Sequence, residues 1–110
     1  MTGAADDDPT RFFWDLVAPL LATDGVEEGT LMGMPCLRWE GSFFGTCEHR
    51  TGDLIVKLPR ERVDALIGDG VGQPFAPAGR VFKEWVLVPE RDERVWNGLL
   101  DEALRFAGAT

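Results

Sequence analysis

The stretch Leu31-Met32-Gly33-Met34-Pro35-Cys36-Leu37-Arg38-Trp39-Glu40-Gly41-Ser42-Phe43-Phe44-Gly45-Thr46-Cys47-Glu48-His49 decides the fold. From about Thr30 its apolar residues recur at a period of two, the spacing of strands with one face toward a core. Residues 31–34 read as one strand interrupted by Pro35, 36–40 as a second, and 43–49 as the return strand. Gly41-Ser42 between the last two has glycine first, the form of a type II′ two-residue turn. That turn sets Glu40 opposite Phe43, Trp39 opposite Phe44, Arg38 opposite Gly45 and Cys36 opposite Cys47.

Cross-strand partners share a face and faces alternate along a strand. Leu37, Trp39, Phe44 and Thr46 then form the core side, and Cys36, Arg38, Glu40, Phe43, Gly45, Cys47 and His49 the outer side. A three-residue loop Arg50-Thr51-Gly52, glycine left-handed, adds Ile55 and Lys57 to the outer face and Leu54, Val56 and Leu58 to the core. A two-residue loop would turn those three apolar side chains outward, so the longer loop is preferred.

On either side of this meander the period is helical. Phe13, Leu16, Val17, Leu20 and Leu21 recur at threes and fours, with Pro9-Thr10 opening the helix, Pro19 set to kink or shorten it and Asp24-Gly25 stopping it. Pro59 opens a short helix buried through Val63, Leu66 and Ile67. Residues 68–79 form a Gly/Pro loop that touches down at Phe75, and residues 81–88 read as one strong strand. After Pro89-Glu90 a last helix turns Val95, Leu99, Leu100, Ala103, Leu104 and Phe106 inward, with Trp96 beside that stripe. The expected architecture is α+β: a two-layer sandwich, its mostly antiparallel sheet covered by helices on one face. The domain spans residues 10–110, behind an acidic, disordered leader at 1–9. The second face of the sheet must be solvated or bind something.

That outer face mixes apolar Phe43 and Ile55 with basic Arg38 and Lys57, a composition suited to a protein partner or a homodimer; a merely solvated face is the alternative. Nucleic acid would need a basic strip, for which Arg38, Lys57, Arg80 and Lys83 are the candidates. Nineteen acids against eleven bases, a net charge of −8, oppose it.

Catalytic groups are few. Ser42 is the only serine, His49 the only histidine, and there is no tyrosine. Ser42 lies in a turn, and a Cys47–His49 pair has no third group to orient the imidazole. Cys36, Cys47 and His49, with Asp53 nearby, resemble an incomplete zinc set at an unsuitable spacing. A Cys36–Cys47 disulfide has the right Cα separation but poorly directed side chains, and free thiols are preferred. Gly68-Asp69-Gly70-Val71-Gly72 follows a helix and lacks the Gly-Lys-Ser/Thr ending of a phosphate loop. Neither enzyme chemistry nor a cofactor or metal is expected. No apolar run is long enough for a membrane span and no signal peptide is evident, so the expected location is cytoplasmic.

Several segments together resemble a known family. Gly29-Thr30-Leu31-Met32-Gly33-Met34-Pro35-Cys36-Leu37 with Gly41-Ser42-Phe43-Phe44, then Asp53-Leu54-Ile55-Val56-Lys57-Leu58-Pro59, then Pro74-Phe75-Ala76-Pro77-Ala78-Gly79-Arg80 with Lys83-Glu84-Trp85-Val86, are similar in order to TfoX N-terminal-like proteins and the closely related MmcQ/YjbR-like proteins. The resemblance covers residues 12–106 and implies a sandwich like that of type III secretion chaperones. It also implies a regulatory or DNA-binding accessory role, and it supplies no catalytic residues. Full-length TfoX-like regulators carry a second, C-terminal domain that these 110 residues do not include, so competence regulation itself is not expected. The expected function is that of a non-enzymatic domain, regulatory and self-associating, acting through protein contacts at Arg38, Phe43, Ile55 and Lys57.

Overall fold

The computed structural model describes residues 8–31 and 33–108. The chain runs α1 (Arg11–Leu21), β1 (Val26–Leu31), β2 (Met34–Trp39), β3 (Ser42–Cys47) and β4 (Leu54–Lys57). It continues through α2 (Arg60–Gly68), β5 (Gln73–Pro74), a 3-10 turn (Pro77–Gly79), β6 (Trp85–Val88) and α3 (Glu93–Phe106). The strands form one sheet in the order β1-β2-β3-β4-β6-β5, every neighbouring pair antiparallel.

All three helices bury their apolar stripes in a single core with one face of that sheet. Phe13 and Val17 of α1, Val63 and Leu66 of α2, and Trp96, Leu99, Leu100, Ala103 and Leu104 of α3 meet Leu37, Phe44, Leu54, Val56, Val86 and Val88. This is the α+β two-layer arrangement that the alternating and helical periods called for. Asp92 caps α3, its carboxylate accepting from the Val95 N–H at 3.2 Å. The Trp96 indole N–H donates to the Glu90 carbonyl at 2.7 Å, so the ring is buried with its polar atom satisfied. Val95 and Phe106, expected on the buried stripe, lie at its margins, 36% and 40% exposed.

Several local expectations are corrected. Pro19 neither ends nor interrupts α1: it sits in the last turn, and the carbonyl its missing N–H would have bonded belongs to solvent-exposed Asp15. Of the leader, residues 1–7 lie outside the described residues. Asp8 accepts from the Thr10 N–H and hydroxyl at 2.9 and 2.7 Å, and these bonds hold its carboxyl below its ordinary range. Leu31 and Met34 are not parts of one strand. They pair across a hairpin that turns at Gly33 (φ 79°), the expected strand residue Met32 lying outside the described residues. The strand before that turn, β1, was hidden by Glu27 and Glu28, both exposed on an edge strand. Pro35 is accommodated in β2 because its ladder partner there is Thr30 of the edge strand, and its carbonyl accepts the Thr46 hydroxyl at 2.6 Å.

The central hairpin turns one residue earlier than expected. Trp39 pairs with Ser42, so Glu40 (φ 46°) and Gly41 (φ 91°) are the turn residues, both with the positive φ of a type I′ turn. A β-bulge follows: Arg38 pairs with Phe43, but Leu37 pairs with Gly45, leaving Phe44 as the extra residue. Beyond the bulge the faces are the reverse of the expected ones. Gly45 and Cys47 point to the core, and Thr46 lies on the outer side opposite Cys36 and Ile55. The next loop is also one residue longer than expected, since the Glu48 N–H donates to the Asp53 carbonyl at 2.8 Å. The two shifts cancel, which is why Leu54 and Val56 face the core and Ile55 and Lys57 face out as read.

Candidate functional site

Residues 81–88 were expected to form one strand, but only Trp85–Val88 does so. Strict alternation with Val86 and Val88 inward would have driven the Glu84 carboxylate into the core, and the chain leaves the sheet instead. Residues 75–85 arch over the outer face. Phe75 is 9% exposed yet lies outside the helix-backed core, its ring 5.8 Å from Phe82 and 6.5 Å from Trp85. Its carbonyl accepts the Phe82 N–H at 3.0 Å, and the Phe82 carbonyl accepts the Trp85 N–H at 3.1 Å. Ala78 (φ 56°) and Gly79 (φ 82°) turn the arch back.

Between the arch and the sheet is a groove of about 700 Å³. Phe43, Thr46 and Ile55 line it from the sheet, and Val81, Phe82 and Trp85 from the arch. Thr46 presents little polarity because its hydroxyl is bonded to Pro35. The charged lining is Lys57, Arg80, Lys83 and the single carboxylate Glu84. Among the described residues none of the three cations is ion-paired; Arg80 instead lies over the Phe82 ring at 5.9 Å.

Two candidate sets from the sequence thus merge. Phe43 and Lys57, expected at a contact surface, and Arg80 and Lys83, expected in a nucleic-acid strip, line the same groove. Ile55 belongs to it as part of the floor, but at 1% exposure it is not the open contact residue that a bare sheet face would offer. Arg38 is not in the lining. It lies beside Phe43, and its Nη2 donates to Glu27 Oε1 at 3.3 Å. Gly29 leaves the room, since a Cβ there would stand 3.0 Å from Arg38 Cδ and 3.1 Å from Phe43 Cε1. Sequence reasoning missed Phe82 and Trp85, whose signal was the misplaced Glu84.

Cys36 and Cys47 are free, as expected, but their placement on one face is corrected. Cys36 lies on the outer side and Cys47 on the core side of the sheet, because the bulge rotates β3 by one residue. They cannot bridge or share a metal with His49, which is exposed at the loop after β3. Burial pushes the Cys36 thiol up to about 11 and the Cys47 thiol up to about 12, the opposite of an activated nucleophile. No helix among the described residues is long and apolar enough to cross a membrane.

An antiparallel sheet backed by helices on one side and arched over on the other defines the class: a small α+β domain with an open aromatic and cationic groove. No family model matches the chain, nor does any curated protein or solved structure.

Proposed function

We propose that this chain is a non-enzymatic, cytoplasmic binding domain that acts through protein contacts, with the groove as its contact surface. The observation that carries this reading is the convergence of Phe43, Phe82 and Trp85 with three cations that, among the described residues, are not ion-paired. Aromatic residues and arginine are enriched at interface cores, and a concave apolar site with a few oriented polar groups is the usual form of a binding site. The lining offers no imidazole or thiol; its hydroxyls are Ser42, at the start of β3, and Thr46, already bonded to the Pro35 carbonyl, and its one carboxylate is Glu84. The resemblance to TfoX N-terminal-like proteins, which supplies no catalytic residues, agrees with a regulatory contact role.

A photo-crosslinking residue in place of Val81, which is 52% exposed at the groove, tests this. In cells it is expected to give discrete polypeptide adducts that the same residue in place of exposed Asp101 does not. No adduct at Val81, or the same adducts from both positions, would end the reading. Adducts with the chain itself would identify the self-associating form, and Phe43→Glu should then convert it to a monomer by light scattering.

Nucleic acid is the second reading, favoured by cations beside the half-buried rings of Phe43, Phe82 and Trp85. It predicts a gel shift at low salt that weakens steeply with added salt and with Lys57→Glu. Absence of a shift at low salt removes it.

A further inference from the structure

Resting on that reading, we infer that the groove takes an acidic segment of a partner protein that carries an aromatic or large aliphatic anchor. The chain as a whole has a net charge of −8, so its long-range field repels anionic partners. The groove inverts this locally: Lys57, Arg80 and Lys83 stand against Glu84 alone. Cations not ion-paired among the described residues, beside an apolar floor, are complementary to carboxylates placed next to an apolar side chain.

The volume supports an anchor and not a flat contact. About 700 Å³ lies within the usual size range of ligand clefts, and Phe43, Phe82 and Trp85 line it above the Ile55 floor. Ile55 at 1% exposure and Thr46 with its hydroxyl satisfied give a floor that asks nothing of a polar group. Carboxylates on the same segment then reach the rim, where they stay partly hydrated and lose little on binding.

A second copy of this chain fits less well. In a twofold contact through the groove each cationic rim meets its own equivalent, and like charges brought together oppose association. A nucleic acid also fits less well, because three cations offset few phosphates against the surrounding negative field.

The experiment is calorimetric titration of the full chain with two capped octapeptides, one alternating glutamate and phenylalanine, the other lysine and phenylalanine. The acidic peptide is expected to bind about tenfold or more tightly than the basic one, with affinity falling as salt rises. Lys57→Glu combined with Lys83→Glu should reverse that order while thermal unfolding shows the fold retained. Equal binding of both peptides, preference for the basic one, binding by neither, or an order unchanged by the double variant would overturn the inference. The crosslinking experiment separates this from failure of the contact reading. Adducts that map to a basic or uncharged partner segment sink the acidic occupant alone, whereas no polypeptide adduct sinks the contact surface itself.

Discussion

The indole of Trp39 rests on the bare backbone of Gly25: a Cβ at Gly25 would stand 2.5 Å from Trp39 Nε1. The same glycine has φ 88°, where a side chain is disfavoured even in open space. Gly33 shares the positive φ (79°) but, among the described residues, has nothing within 4 Å of its missing Cβ. Gly25→Ala should therefore cost about 3 kcal/mol and Gly33→Ala about 1 kcal/mol, since only the first adds a clash to the dihedral penalty. Urea unfolding of the two variants checks this, and equal losses would mean that Trp39 simply moves aside.

Glu40 occupies a left-handed position (φ 46°) in the type I′ turn with Gly41. Asparagine tolerates that conformation better than glutamate does, so Glu40→Asn should stabilise by about 0.5–1 kcal/mol. A raised urea midpoint with an unchanged slope is the expected result.

Arg91 ties the β3–β4 loop to the start of α3. Its Nη1 donates to Asp53 at 2.9 Å and to the Pro89 carbonyl at 2.6 Å, its Nη2 donates to the Thr51 carbonyl, and the guanidinium lies 5.4 Å from the Trp96 ring centre. Arg91→Ala should cost about 2 kcal/mol, from several charge-assisted bonds lost at a partly solvated site. Arg91→Lys should recover only part, because an ammonium cannot fork between these acceptors. Thermal unfolding at matched salt measures both.

Cys47 gives the pH dependence. Burial raises its thiol to about 12; the charges of Asp8 and Glu48 add to the shift and Arg91 opposes it. Unfolded, the thiol ionises near pH 8.5. The folded pKa is the higher one, so the contribution to stability is fully present below about pH 8.5 and is lost as pH rises toward the folded value. Cys36, at about 11, acts in the same direction. Urea midpoints should fall above about pH 9, more steeply in the parent chain than in Cys47→Ala, and the native thiols should resist a thiol reagent at pH 8.

Lys83 is exposed and, among the described residues, not ion-paired. Lys83→Glu should change stability by no more than about 0.5 kcal/mol, the usual range for such surface sites. It should nevertheless weaken capture through Val81, separating contact from folding.

The sheet faces show how far local pattern reaches. Alternation in Leu54-Ile55-Val56-Lys57 and the three helical stripes were legible because burial imposes a strict period on each element. The β3 register was not, because Gly45 is drawn to the core side by α3: a Cβ there would stand 3.0 Å from Leu100 Cδ2. That close approach of helix to sheet belongs to residues 55 positions apart in the chain (45 and 100), and no local period records it. The candidate site was half legible for the same reason. Lys57 and Phe43 lie on strands whose outer face could be read, whereas Arg80, Lys83 and Phe82 reach it only through the arch.

From the order of residues alone came the helices, the strands about Leu37, Phe44 and Val56, the one-sided core and the acidic balance of the chain. Each depends on burial or charge, which act on composition and near neighbours. Only the folded chain decided that Phe44 is a bulge, that Cys36 and Cys47 part to opposite faces, and that residues 75–85 close over Ile55 to make a groove. Those outcomes depend on which backbones can approach one another, and close packing between distant segments is settled in three dimensions.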